Sequence, residues 1–480
     1  MATPSWLGNA VAIKDKWTIT VANTWAAADT GTVTINGKDL IVTIGSLVTT
    51  AQVAATIKEA WESGAFTDTT ASCTPSGGGT SIPEMAELTA TVSGSTVILT
   101  ADTAGVPHTI SVSEVTAGTG TLAIAHTTTA TGPNYWDNVD NWDTGAVPVS
   151  TDTVYVDRPV SILYGIDQNA VTLAVMIITA RFTSSAYIGL PVRNTNGYDE
   201  YREKCLKISI TAFTTYGNSG RIKINFGTAQ NTSHVYATGS TADTDRGALQ
   251  LLGTHASNAI NVYGGDVSIA TALGEVATFA TVKQTGGTLE TGAGVTLTNV
   301  TNTGGTLTVA SSTTTLLHEA GTLTVNGGTQ TALTALAGDV TITGTTTVTT
   351  LRQGTATVNA GINVTFTTID KADGELTCQS GATTVTNDAG TITFTTGSIT
   401  TANINGGTFN HKGTGTIGTM NIRPSGLSGT DTIDVDFTGT TAAITVTTLA
   451  VTARPVRFID PSSRVTWTGG FPVGGTVTFE

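Results

Sequence analysis

The chain has 480 residues, a formal charge of −14 and only 12% charged residues, against roughly 25% in an average globular protein. Gly reaches 55 residues while Thr, Val and Ile recur throughout, and such β-branched residues suit a pleated, half-buried surface. Disorder and an all-helical bundle are excluded, and the 21 Lys and Arg are too few and too scattered for a nucleic-acid partner.

The first residues, MATPSWLGNAVAIKDKW, lack a basic start followed by an apolar stretch, so no secretory signal is expected. No run of 18 apolar residues is present, so no membrane-spanning helix is expected. Cys73, Cys205 and Cys378 are far apart, which argues against a disulfide framework or a CxxC metal site and for three small buried or partly buried thiols.

After an arm over residues 1–15, residues 16–128 read as a small α/β module. Lys16 to Ala22 alternates as a strand. Gly31 to Ile35 and Leu40 to Ile44 follow, separated by Asn36-Gly37-Lys38-Asp39, a strong hairpin signal because a type I′ turn needs positive φ at both central residues. Thr49 to Gly64 predicts a helix, with Val53, Ile57 and Trp61 on one stripe, Thr49 or Thr50 as cap and Gly64 as stop. Thr70 to Ser81 reads as a turn-rich loop. Its Gly77-Gly78-Gly79 lacks the Gly-Lys-Ser/Thr of a phosphate loop. Leu88 to Val92 and Thr96 to Ala101 predict a second hairpin, and His108 to Val115 a last strand.

The segments TVTINGKDLIVTIGSLVTTAQVAATIKEAWESG and AELTATVSGSTVILTADTAGVPHTISV resemble a small module of bacteriophage tail proteins. The resemblance covers about a quarter of the chain and implies a phage virion structural protein. It carries no chemistry of its own.

Residues 129–250 read as a Trp-rich junction and first β coils. NYWDNVDNWDTGAVPVSTDTVYVD resembles the opening segment of parallel β-helices, where Trp136 and Trp142 would plug the open end. Asp137, Asp140 and Asp143 are candidate cation ligands, but their spacing is not that of an EF-hand and Asx-turn chemistry accounts for them. Arg193 to Lys204, the most charged stretch, reads as a solvated loop.

Residues 251–440 show the strongest signal. A glycine followed by an alternating apolar pair recurs at Gly265, Gly287, Gly305, Gly321, Gly338, Gly354, Gly374, Gly390 and Gly407, with spacings of 22, 18, 16, 17, 16, 20, 16 and 17. A period near 17 with short strands predicts a parallel β-helix, a β-solenoid in which neighbouring coils complete each other's core. The expected core column is Leu289, Leu307, Leu323, Val340, Leu376 and Ile392. Residues 441–480, with Pro455, Pro461, Pro472 and Trp467, read as a C-terminal cap.

Solenoids of this kind include polysaccharide-cleaving enzymes, and glycoside hydrolysis needs two facing acids. Asp434 and Asp436 share one strand face and form the best candidate dyad, but Val435 and Phe437 define the inward face and leave both acids outward. Phe279, Phe366, Phe394 and Phe409 are the aromatics between Gly265 and Gly429, poor provision for sugar stacking. The six His are isolated in sequence, without HExxH or GxSxG.

The expectation is therefore a mainly β, non-enzymatic virion component without cofactor, projecting from capsid or tail as a decoration, fibre or spike. Other virion proteins are its expected partners, a homotrimer its expected assembly, and a host-surface glycan a further candidate partner. The alternatives are a tailspike-type polysaccharide depolymerase and a bacterial surface β-helix adhesin.

Overall fold

The computed structural model describes residues 2–76, 82–183, 186–217, 220–238, 248–423, 432–440, 442–452, 455–469 and 477–480. The fold is mainly β, with a parallel β-solenoid of roughly 18-residue turns preceded by small antiparallel sheets. The chain divides into two compact units: Met1–Val171 with Arg181–Ile208, and Thr172–Ala180 with Ser209–Glu480. The division falls inside the segment read as a junction.

In the first unit, β1 (Lys16–Ala22), β2 (Thr30–Ile35), β3 (Lys38–Thr43), helix α1 (Thr50–Glu62), β4 (Ser72–Pro75), β5 (Leu88–Ser93), β6 (Thr96–Ala101), β7 (Ile110–Val115) and β8 (Thr121–Thr128) follow in order. They form two four-stranded sheets, β5-β6-β1-β8 and β4-β3-β2-β7. The β2–β3 turn is Asn36-Gly37, with φ of 57° and 67°, as a type I′ turn requires. Thr49 caps α1 through a capping box: its Oγ1 accepts the Gln52 N–H at 3.4 Å, and Gln52 Oε1 accepts the Thr49 N–H at 3.1 Å. Val53, Ile57 and Trp61 bury their stripe between the sheets, and Trp61 Nε1 donates to the Leu88 carbonyl at 3.0 Å.

Two elements differ from expectation. The loop over 70–81 contains β4, whose Thr74 pairs with Ile41; Gly77-Gly78-Gly79 lie outside the described residues. The last strand is β8, not β7; its outer half is polar and exposed, which hides the alternation. Trp136 and Trp142 are buried and pack edge-on at 4.8 Å, with Trp6 on Trp142 at 5.1 Å, so residues of the expected arm belong to this unit's interior.

In the second unit, parallel rungs stack in register. Leu289, Leu307, Leu323 and Val340 pair in succession and are buried, as are Leu376 and Ile392 further on. Val358 joins the two runs. The irregular spacings around Gly354 have a simple cause: the corner of that rung is Ala356, whose carbonyl accepts the Glu375 N–H while Gly338 accepts the Thr357 N–H. Gly338, Ala356 and Gly374 are then evenly 18 residues apart.

The other corners form a glycine column. Gly287, Gly305 and Gly321 have φ of 71°, 84° and 88°, and a Cβ at Gly305 would lie 2.4 Å from the Gly287 carbonyl oxygen. Beside this column, inside the solenoid, runs a ladder of buried polar side chains: Gln284, Asn302, His318, then, past Ala335, Gln353, Lys371 and Asn387. Several donate to corner carbonyls, as Gln284 Nε2 does to Gly287 at 3.0 Å and Gln353 Nε2 to Ala356 at 2.7 Å. Residues read as a C-terminal cap continue the same register, Val435 to Phe458 to Phe479, with Trp467 edge-on to Phe458 at 5.2 Å. Pro472 lies outside the described residues.

Candidate functional site

Val435 and Phe437 are buried, so Asp434 and Asp436 face outward. Both Asp434 oxygens are held by one guanidinium: Arg457 Nε donates to Oδ1 at 3.0 Å and NH2 to Oδ2 at 2.8 Å. Asp436 Oδ1 accepts the Thr438 N–H at 2.7 Å. The pair is thus a cross-rung ion pair beside an Asx turn, with neither acid facing the other across a cleft.

Of the junction acids, the Asp143 carboxylate is committed to local structure. Asp143 Oδ1 accepts the Ser5 N–H at 2.8 Å, and the Asp140 N–H donates to Asn138 Oδ1 at 2.9 Å. Asp137 abuts Gly165, where a Cβ would lie 2.1 Å from its Oδ1. Among the described residues no group of three or more His, Cys, Asp or Glu is placed to hold a metal ion, and no helix is long and apolar enough to cross a membrane.

Two constellations have no signature in the sequence. The first is a buried ionic network in the first unit. Asp15 accepts the His108 backbone N–H at 2.8 Å, Trp17 Nε1 at 3.0 Å and the Ala130 N–H at 3.1 Å, with His126 Nε2 at 2.6 Å. The His108 ring lies between Asp15 (3.5 Å) and Glu87 (3.3 Å). Glu87 also accepts Tyr198 Oη at 2.6 Å, Asn196 Nδ2 at 2.9 Å and Arg202 NH1 at 3.4 Å, and Arg202 Nε reaches Glu200 at 2.6 Å. The stretch read as a solvated loop is therefore anchored, with Tyr198 and Glu200 buried.

Burial alone would push the Asp15 and Glu87 carboxyls up, but hydrogen bonds, led in each case by His108, outweigh it and hold each at about 2. Burial disfavours the His108 cation; the two carboxylates outweigh that and raise its pKa. A cleft of about 300 Å³ opens beside Glu87, Asp102, His108, Asn196 and Arg202. Both Glu87 oxygens accept hydrogen bonds, and through Asn196, Tyr198 and Arg202 the network clamps the 193–204 segment.

The second constellation is an exposed tyrosine ladder on the second unit. Tyr216, Tyr236 and Tyr263 occupy the same outer corner of successive rungs, since their N–H groups donate to Ile178, Thr215 and Val235 in turn. Their rings stack at 4.8 and 4.6 Å with interplanar angles of 9° and 10°, and the residues are 46, 44 and 41% exposed. Sequence inspection misses them because their spacings, 20 and 27 residues, do not match the repeat and they precede the glycine column.

No protein-family model matches the chain, and no curated protein matches it.

Proposed function

We propose that the chain is a non-enzymatic structural component of a bacteriophage particle, projecting from capsid or tail as a decoration, fibre or spike. The reading rests on one combination: a TVTING hairpin, AQVAATI helix and TATVSGSTVILTADTAG hairpin folded around one core, in a chain that also forms a parallel β-solenoid. Stacked rungs give a rod whose length is set by rung number. In this reading the first unit docks on the particle, other virion proteins are its partners, and the chain assembles as a homotrimer. The Asp434–Arg457 ion pair speaks against the depolymerase alternative, because a carboxylate held at both oxygens is not free to attack or protonate a glycosidic bond.

Immunogold electron microscopy of phage particles from the source, with antibodies raised to the purified chain, tests this. Regular labelling of the particle surface is expected, with a solution mass of three chains by sedimentation. Particles devoid of label, with the chain found instead on the bacterial surface, would replace this reading with the adhesin.

A further inference from the structure

At several points on the solenoid's outer face, polar side chains hydrogen-bond to one another from rung to rung. Thr315 Oγ1 donates to Asn299 at 2.6 Å, Asn405 Nδ2 to Asp388 at 2.8 Å, Asn410 Nδ2 to Thr393 at 3.1 Å and Asn421 Nδ2 to Asn403 at 3.0 Å. The tyrosine ladder makes no such bonds among the described residues and stands out by its ring stacking. Two residues before Tyr236, Tyr263 and Thr285, the next position in their column, run His234, Asn261 and Lys283, paired in register on the same face. The three phenol hydroxyls, the Asn261 amide and the Lys283 ammonium have no side-chain hydrogen-bond or ion-pair partner among the described residues, and His234 Nδ1 is buried without one. The ladder ends at Thr285, the next position in the column, so the outer face of the Tyr263 ring forms a ledge above a short side chain, beside exposed Lys283.

The chemistry of these groups narrows the ligand. The rings cover each other's faces and present their edges, the positive rim of the aromatic quadrupole, together with hydroxyls that both donate and accept. A protein partner would seek a desolvated apolar centre, which stacked edges and polar flanks do not offer. A nucleic acid would need several cations, and there is one Lys. Neither column holds a carboxylate over these rungs, in a chain of net charge −14; the nearest in sequence, Asp266, lies past the Gly264-Gly265 corner. We propose that Tyr216, Tyr236 and Tyr263, with His234, Asn261 and Lys283, form a binding site for an acidic glycan lying along the solenoid axis, its sugar hydroxyls on the phenol edges and a carboxylate at Lys283. The site is defined by the second unit alone and does not depend on particle membership.

Isothermal titration of the full chain with a hexagalacturonate, a hyaluronan hexasaccharide and neutral cellohexaose tests the site. At least one acidic oligosaccharide is expected to bind about tenfold more tightly than cellohexaose, with an affinity that falls as salt rises. Lys283→Gln, an exposed change that leaves the stack untouched, should weaken it about tenfold, and Tyr263→Ser at least as much. Tyr263→Phe keeps the ring should Tyr263→Ser disturb folding, and is expected to lose affinity through the missing hydroxyl. Arg352→Gln removes the same charge from the same outward column beyond the ladder and should change nothing. Absence of binding to both acidic probes, equal binding of cellohexaose, or equal losses in Lys283→Gln and Arg352→Gln would each overturn the assignment.

Discussion

Lys371 and Ala389 are joined across one rung inside the solenoid, where the fully buried ammonium donates to the Ala389 carbonyl oxygen at 2.5 Å. No carboxylate shares that interior position, and burial lowers the lysine to about 8 from an ordinary 10.5. The unfolded chain therefore holds this proton over a range where the folded chain has released it, and stability rises with pH between those values. The gain is on the order of 3 kcal/mol. Chemical denaturation at pH 7.5 and pH 10 should show it in the native chain and not in Lys371→Met. Equal pH responses would mean that the ammonium is solvated.

Core packing in the column is tested at Leu323, which lies between Leu307 and Val340. Leu323→Ala should cost about 2–5 kcal/mol by thermal or denaturant unfolding. Leu323→Asp should cost more, because an unpaired charge would be buried between rungs.

The glycine column makes a separate prediction. Gly305→Ala meets both a left-handed φ of 84° and a carbonyl oxygen 2.4 Å from the new Cβ. It should destabilise by more than about 1 kcal/mol and lower the melting temperature. Ala356, at the equivalent corner with no positive φ, shows that the backbone conformation, rather than the corner itself, demands glycine.

The clamp predicts acid sensitivity. Asp15 and Glu87 are depressed from 3.8 and 4.5 to about 2, so their contribution is present above the ordinary values and is lost as pH falls toward 2. Hydrogen exchange should show residues 193–204 loosening first. Arg202→Leu leaves Glu200 buried without its guanidinium and should cost about 3–5 kcal/mol at neutral pH. Protection of 193–204 unchanged in that variant would remove the clamp.

Local chemistry was legible in the sequence. Asn36-Gly37, the Thr49 cap and the Leu289–Leu307–Leu323–Val340 column all follow from residues adjacent in the chain or recurring at a near-constant interval. The rung at Ala356 hides because its corner lacks the glycine that marks the others. The Asp15–His108–Glu87–Arg202 network hides for another reason: its members stand 93 and 115 residues from their partners, and nothing in a lone Asp or His announces a pairing across such a span. A fragment starting at residue 130 would separate Arg202 from Glu87. The tyrosine ladder escapes detection because unequal spacings of 20 and 27 residues separate rungs that nonetheless stack in register.

Each rung between Gly287 and Gly407 bonds to its immediate neighbours, so the segment behaves as a stack of interchangeable tiles. Excising Asp339–Ala356 would join Gly338 to Thr357 and set Val358 directly on Leu323, the seat Val340 now fills. Lineages descended from one ancestral gene could thus shorten or lengthen the rod by whole tiles without inventing a new core, and in-frame deletions of a full turn should be tolerated where deletions of half a turn are not.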